Sequence, residues 1–177
     1  MVTLPLLLFN LEVKFDTMIE EVNTILKNIR RMDARYLGWK IFKEKKLKKD
    51  IADLNREQLL SGENADGESL PRYTDDPYFT SVEAALRYQA WKSHISIGDK
   101  PDDIMDFYID GTFHKTIKFK RDDEGFTTES NSSIVNSVQN KTQNKALGIN
   151  EESLDELYPD ILRFAQEYVF SEIQKNL

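Results

Sequence analysis

Met18, Val22, Ile25, Ile29 and Met32 recur at intervals of four, three, four and three, a spacing that lays all five on one stripe of an amphipathic helix. Thr17, with Glu20 three residues on, gives that helix a capping-box start. Just before it, Phe9, Leu11, Val13 and Phe15 alternate with Asn10, Glu12 and Lys14, the pattern of a half-buried strand over Leu8–Phe15. A chain of 177 residues is long enough to enclose a real core, and its length argues for one domain over residues 1–177.

Further along, Leu37, Ile41, Leu47, Ile51 and Leu54 supply the apolar side of a second helix, predicted to run from about Ala34 to about Leu60. Ser61-Gly62-Glu63-Asn64-Ala65-Asp66-Gly67 is turn chemistry, with two glycines able to take positive φ. Thr80 and Glu83 form another capping box, opening a short helix through Val82, Ala85, Leu86 and Gln89 and closed off by Gly98 and Pro101. β-favouring residues return over 104–119, broken at Asp110-Gly111, and Asp122-Asp123-Glu124-Gly125 reads as a hairpin turn from which Phe126 to Glu129 return. The polar tract at about 127–146 has only Ile134, Val135 and Val138 as apolar anchors. It reads as a flexible arm, or as a segment ordered against a neighbour. Asn150 is placed to cap a short piece with Leu154 and Leu157, and Pro159 to open a separate last helix carrying Ile161, Phe164, Ala165, Tyr168, Val169 and Ile173.

Composition narrows the chemistry. With ten Phe, seven Tyr, two Trp and 40% hydrophobic residues, the chain is too apolar for a disordered protein. The absence of cysteine excludes disulfides, thiolate nucleophiles and Cys-based zinc sites. Residues 1–9 lack the basic start of a signal peptide, and no apolar run reaches the ~18 residues of a membrane span. A soluble product of a reducing cytosol is the expectation. A net charge of −7 argues against gripping phosphate. The charge is uneven, with Lys45, Lys46, Lys48 and Lys49 in a basic run and the stretch from Asp50 to Asp110 acidic.

No catalytic constellation emerges. His94 and His114 have no ligand-like spacing, and neither a nucleophile elbow nor a phosphate loop is present. Asp99, Asp102, Asp103, Asp106 and Asp110 invite comparison with two-metal nucleases, yet no downstream acidic-x-Lys partner follows. As a calcium loop, 106–117 fails at Tyr108 and Ile117. These aspartates read as solvated loop charge, and no metal, cofactor or small-molecule substrate is expected.

Three stretches, in order, resemble the virion-morphogenesis and tail-completion proteins of tailed phages. Residues 58–70 with Tyr73 are similar to the family's glycine turn after a long helix. Residues 105–117 resemble its "Leu-x-x-Thr-Gly-x-Leu/Phe-x-x-Ser-Ile" turn before the sheet, with Asp110 in the place of the usual Thr. Residues 145–154 resemble its "Leu-Gly-Leu-Ser-x-Glu-Asp" entry into a C-terminal helix. Gly62, Gly67, Gly111 and Gly148 are the turn residues of these matches. The resemblance implies an α+β subunit, with long helices on a small antiparallel sheet, a C-terminal helix and one flexible polar loop. It implies assembly with copies of itself into a cyclic ring at the head–tail junction of a virion, beside portal or adaptor rings and tail proteins. DNA would pass the acidic lumen without specific binding. Such a ring needs two different complementary patches; the candidates are Lys45, Lys46, Lys48 and Lys49 against Asp102, Asp103 and Asp106, together with Phe164 and Tyr168 on the last helix. Two other readings compete: an interaction or regulatory module acting through the C-terminal helix, and, more weakly, a nuclease centred on Asp102, Asp103 and Asp106.

Overall fold

The computed structural model describes residues 34–121 and 125–175, together with Glu20, Val22, Asn23, Thr24 and Lys27. The strand expected over Leu8–Phe15 lies outside the described residues, as does most of the first helix; its five described positions are helical. The described elements are helices α1 (Ala34–Ile41), α2 (Lys45–Leu60), α3 (Val82–Lys92) and α4 (Thr112–Lys115), strands β1 (Lys118–Arg121) and β2 (Phe126–Glu129), and helices α5 (Val135–Lys141) and α6 (Glu151–Gln174), with a 3-10 turn at Tyr73–Asp75. The fold is α+β: helices, one small antiparallel sheet and a long C-terminal helix. The chain gathers into two compact units, Phe42–Asp160 and Met1–Ile41 with Ile161–Leu177.

In the larger unit α2 is the axis. Leu47, Ile51, Ala52, Asn55, Gln58 and Leu59 are its buried residues, recurring at helical spacing. Ala52 and Leu59 join Leu70, Ile104, Phe113, Ile117, Val138 and Ala146 in the core. Two members of that buried stripe are amides, and both are satisfied. Asn55 Nδ2 donates to Ala146 O at 3.0 Å, and its Oδ1 accepts from Thr128 Oγ1 at 2.5 Å. Gln58 Oε1 accepts from Asn150 N at 2.8 Å. Arg56 adds a bond from Nε to His114 O at 2.7 Å, tying α2 to α4.

The helix expected from Ala34 to Leu60 is in fact two helices. It breaks at 42–44, where Glu44 is extended at φ −61° and ψ 124°. The break releases Phe42 to pack on Phe119 and Phe126 of the hairpin, at ring separations of 5.9 and 4.9 Å. β1 and β2 pair antiparallel, Lys118 with Glu129 and Arg121 with Phe126. That hairpin is the predicted one; its turn residues 122–124 lie outside the described residues.

The polar tract at 127–146 belongs to the core unit. It forms the end of β2 and then α5, with Thr128, Ser132, Val138, Thr142 and Ala146 buried. Polarity misleads here because the tract's polar groups are partnered: Gly148 N, for example, donates to Thr128 Oγ1 at 2.8 Å. At the last helix Asn150 caps as expected, accepting from Ser153 N at 2.9 Å. Pro159, however, lies inside a single α6 rather than starting a separate helix. Its missing N–H leaves only the carbonyl of exposed Asp155 without its helical donor.

The four turn glycines take positive φ: 81° at Gly62, 74° at Gly67, 77° at Gly111 and 132° at Gly148. A fifth, Gly98, is needed for a different reason: a Cβ there would stand 1.8 Å from Leu60 O. Only glycine lets the loop after α3 close onto the end of α2. Asn55→Ala strands the Ala146 carbonyl and removes both bonds, so it is expected to lower stability by about 2–4 kcal/mol in urea denaturation.

Candidate functional site

The segment after α3 turns on one carboxylate. Asp106 is 0% exposed and Lys92 2% exposed, with Lys92 Nζ 2.5 Å from Asp106 Oδ1. Ser96 Oγ donates to the other oxygen, Tyr108 N to Oδ1 at 2.9 Å, and Lys100 Nζ stands 3.8 Å away. Burial, the largest single influence, pushes the Asp106 carboxyl up; the Lys92, Ser96 and Tyr108 donors outweigh it and hold the pKa below the ordinary value. Burial also lowers the pKa of Lys100. Asp106 is thus neither solvated loop charge nor part of an exposed interface: it is the hub of a buried ion cluster. The reason is long-range, since a carboxylate is tolerated in the core only beside cations such as those of Lys92 and Lys100.

This cluster supports a groove of about 440 Å³, open to solvent and walled by aromatics, within the size range of ligand pockets. Tyr73 and Tyr88 meet at 5.5 Å, Phe79 and Tyr88 at 5.2 Å, and Tyr78 and Phe79 at 5.6 Å. Asp76, at the rim, accepts from Lys141 Nζ of α5, which lies 5.8 Å from the Tyr78 ring centroid. Phe107 lines the same groove at φ 54°, a conformation that is strained for a bulky side chain. The Asp106 side chain, bonded to the Tyr108 amide, clamps the turn that imposes it. Tyr73 is 4% exposed, and its hydroxyl finds no partner among the described residues.

The remaining predicted site residues scatter. Lys45 is exposed, Lys46 bonds to Asp50 and Asp160, and Lys49 to Asp53. Lys48 lies 5.8 Å from the Phe119 ring centroid. Asp102 is exposed and Asp103 pairs with Arg72 at 3.0 Å. Of the three aspartates of the nuclease reading, Asp106 has its oxygens held by protein donors. Among the described residues no group of three or more His, Asp or Glu could hold a metal. In the smaller unit Phe164 lies under Arg163 at 4.2 Å, and Tyr168 meets Tyr36 at 6.3 Å with Lys40 Nζ 5.6 Å from its ring centroid. His94 is exposed. His114 is 4% exposed, and neither ring nitrogen has a partner among the described residues.

The sequence reading missed the groove. The run of Tyr73, Tyr78, Phe79 and Tyr88 was the available signal; the burial of Lys92 left none, because its partner lies in another segment. No protein-family model, curated protein or solved structure matches this chain. Among the described residues no helix is long and apolar enough to cross a membrane.

Two measurements follow from these buried charges. Asp106→Asn leaves Lys92 buried without a full counter-charge and is expected to destabilise by about 3–5 kcal/mol in chemical denaturation. Burial lowers His114 from its ordinary 6.5 to about 4. The unfolded chain therefore takes up a proton that the folded one resists, and stability is lost as pH falls from about 6.5 to about 4, amounting to about 2 kcal/mol at pH 5. Melting curves against pH should show that slope in the wild type and lack it in His114→Phe.

Proposed function

We propose that this chain is a non-enzymatic structural subunit of a tailed-phage particle, one copy in a closed ring at the head–tail junction or the head-proximal end of the tail, with DNA passing through the lumen. One observation carries the reading: α2 has oppositely charged surfaces at its two ends. Its first turn contains Lys45, Lys46 and Lys48 and no acidic residue, an arrangement that the positive N-terminal end of a helix dipole disfavours. Asp50 and Asp160 of the same unit answer Lys46, and exposed Lys45 is placed to meet an acidic patch on a neighbouring copy. At the other end Gly98 closes on Leu60, which brings the turn carrying exposed Asp99 and Asp102 to the C-terminal end of α2. The 16 residues of α2 separate the two patches by ~24 Å. A basic end and an acidic end on one rigid helix suit head-to-tail contacts between copies.

The three stretches that resemble tail-completion proteins also meet in space. Ala65 N donates to Lys145 O at 2.7 Å, Lys145 pairs with Asp66 and Glu68 at 2.8 Å, and Leu59, Leu70, Phe113, Ile117 and Ala146 share one core. Both charge patches belong to the body that these segments form. The net charge of −7 suits a wall along which phosphates slide.

A second reading, an interaction module working through α6, is favoured by the exposure of Leu154, Tyr158 and Leu162 at four-residue spacing. Recovery of the chain from purified virions separates the two, being expected only of the structural subunit. For the interface, Lys45→Glu with Lys48→Glu is expected to abolish rings in native mass spectra. Adding Asp99→Lys and Asp102→Lys to the same chain should restore them, and a failure to restore would count against this pairing of patches.

A further inference from the structure

We infer that the aromatic groove is a socket for the segment Leu4–Phe9 of a neighbouring copy, an inference that rests on the ring reading because a head-to-tail ring joins two different surfaces of neighbouring copies. Leu4-Pro5-Leu6-Leu7-Leu8-Phe9 is the most apolar run in the sequence and carries no charge.

The groove offers what such a segment requires. Its walls are Tyr73, Tyr78, Phe79, Tyr88 and Phe107, and its charges cancel, Asp76 by Lys141 and Lys92 by Asp106. An uncharged, aliphatic occupant therefore meets no unpaired charge. The Tyr73 hydroxyl is sealed from solvent and finds no partner among the described residues, so this wall offers an occupant its aromatic face rather than a hydrogen bond. The strain at Phe107 fits a wall held in place before the occupant arrives. Tyr78 at 79% and Ile109 at 54% exposure form an apolar lip over which a segment can enter.

The test places a photo-reactive benzoylphenylalanine at position 9 of the full chain, in an equal mixture of isotopically heavy and light copies. After irradiation, cross-linked peptides are mapped by mass spectrometry, and the oligomeric mass is measured on the same sample. The expected result is heavy–light cross-links from position 9 into residues 73–79, 88 or 107–109. These should fall several-fold in Tyr78→Ser with Ile109→Ser, two exposed changes that leave the melting temperature in place. Cross-links confined to single copies, cross-links mapping elsewhere, no cross-links, or cross-links indifferent to the two lip substitutions would each overturn the socket. Rings whose position 9 reacts elsewhere overturn the socket and leave the ring reading standing. Heavy–light cross-links into the groove without rings do the reverse.

Discussion

The larger unit depends on two amides buried in one face of α2. Asn55 and Gln58 occupy core positions that an aliphatic stripe would ordinarily fill, and each reaches a segment some ninety residues later in the chain. A buried amide is stable only when its donors and acceptors are met, so these two specify which backbone must lie against α2. They select the loop at 146–150. Through Thr128, Asn55 also selects the second strand of the hairpin. The polar tract between those points is ordered because both of its ends are held, and the Asn150 cap sets where α6 begins.

A second constraint is electrostatic. Placing Lys92 and Lys100 in the interior requires Asp106 beside them, since a buried charge with no counter-ion is strongly destabilising. Once made, the cluster fixes the path of the chain from 105 to 108 and holds Phe107 in a conformation that its own side chain disfavours. The aromatic groove is the outcome of that clamp. The charged groups nearest to it are already paired, and burial raises the tyrosine pKa values at Tyr73 and Tyr88.

The surface charge has a different logic. Lysines crowd the end of α2 where the helix dipole is least hospitable to them, and part of their charge is answered within the unit by Asp50, Asp53 and Asp160. Exposed Lys45 at one end and exposed Asp99 and Asp102 at the other remain as opposite signs on a common axis. Polarity of this sort is a property of the tertiary structure, because the acidic turn reaches α2 only through the close approach that Gly98 permits.

Whatever is encoded within a few residues could be read from the sequence: the hairpin around 122–125, the positive-φ turns at Gly62, Gly67, Gly111 and Gly148, the Asn150 cap and the apolar side of α2. Even local signals slipped where two candidates adjoined. Ser81 rather than Thr80 caps α3, its Oγ accepting from Ala84 N at 3.2 Å, and the apolar Val82 and Leu86 of that helix are exposed while Lys92 is buried. The break at 42–44, the unbroken α6 through Pro159, the ordering of 127–146 and the burial of Asp106 were decided only in three dimensions. Each of the last two depends on partners far along the chain or in a separate segment. Periodicity and turn chemistry act over one or two helical turns, whereas the environment of a charge or an amide is set by whichever distant groups the fold brings to it.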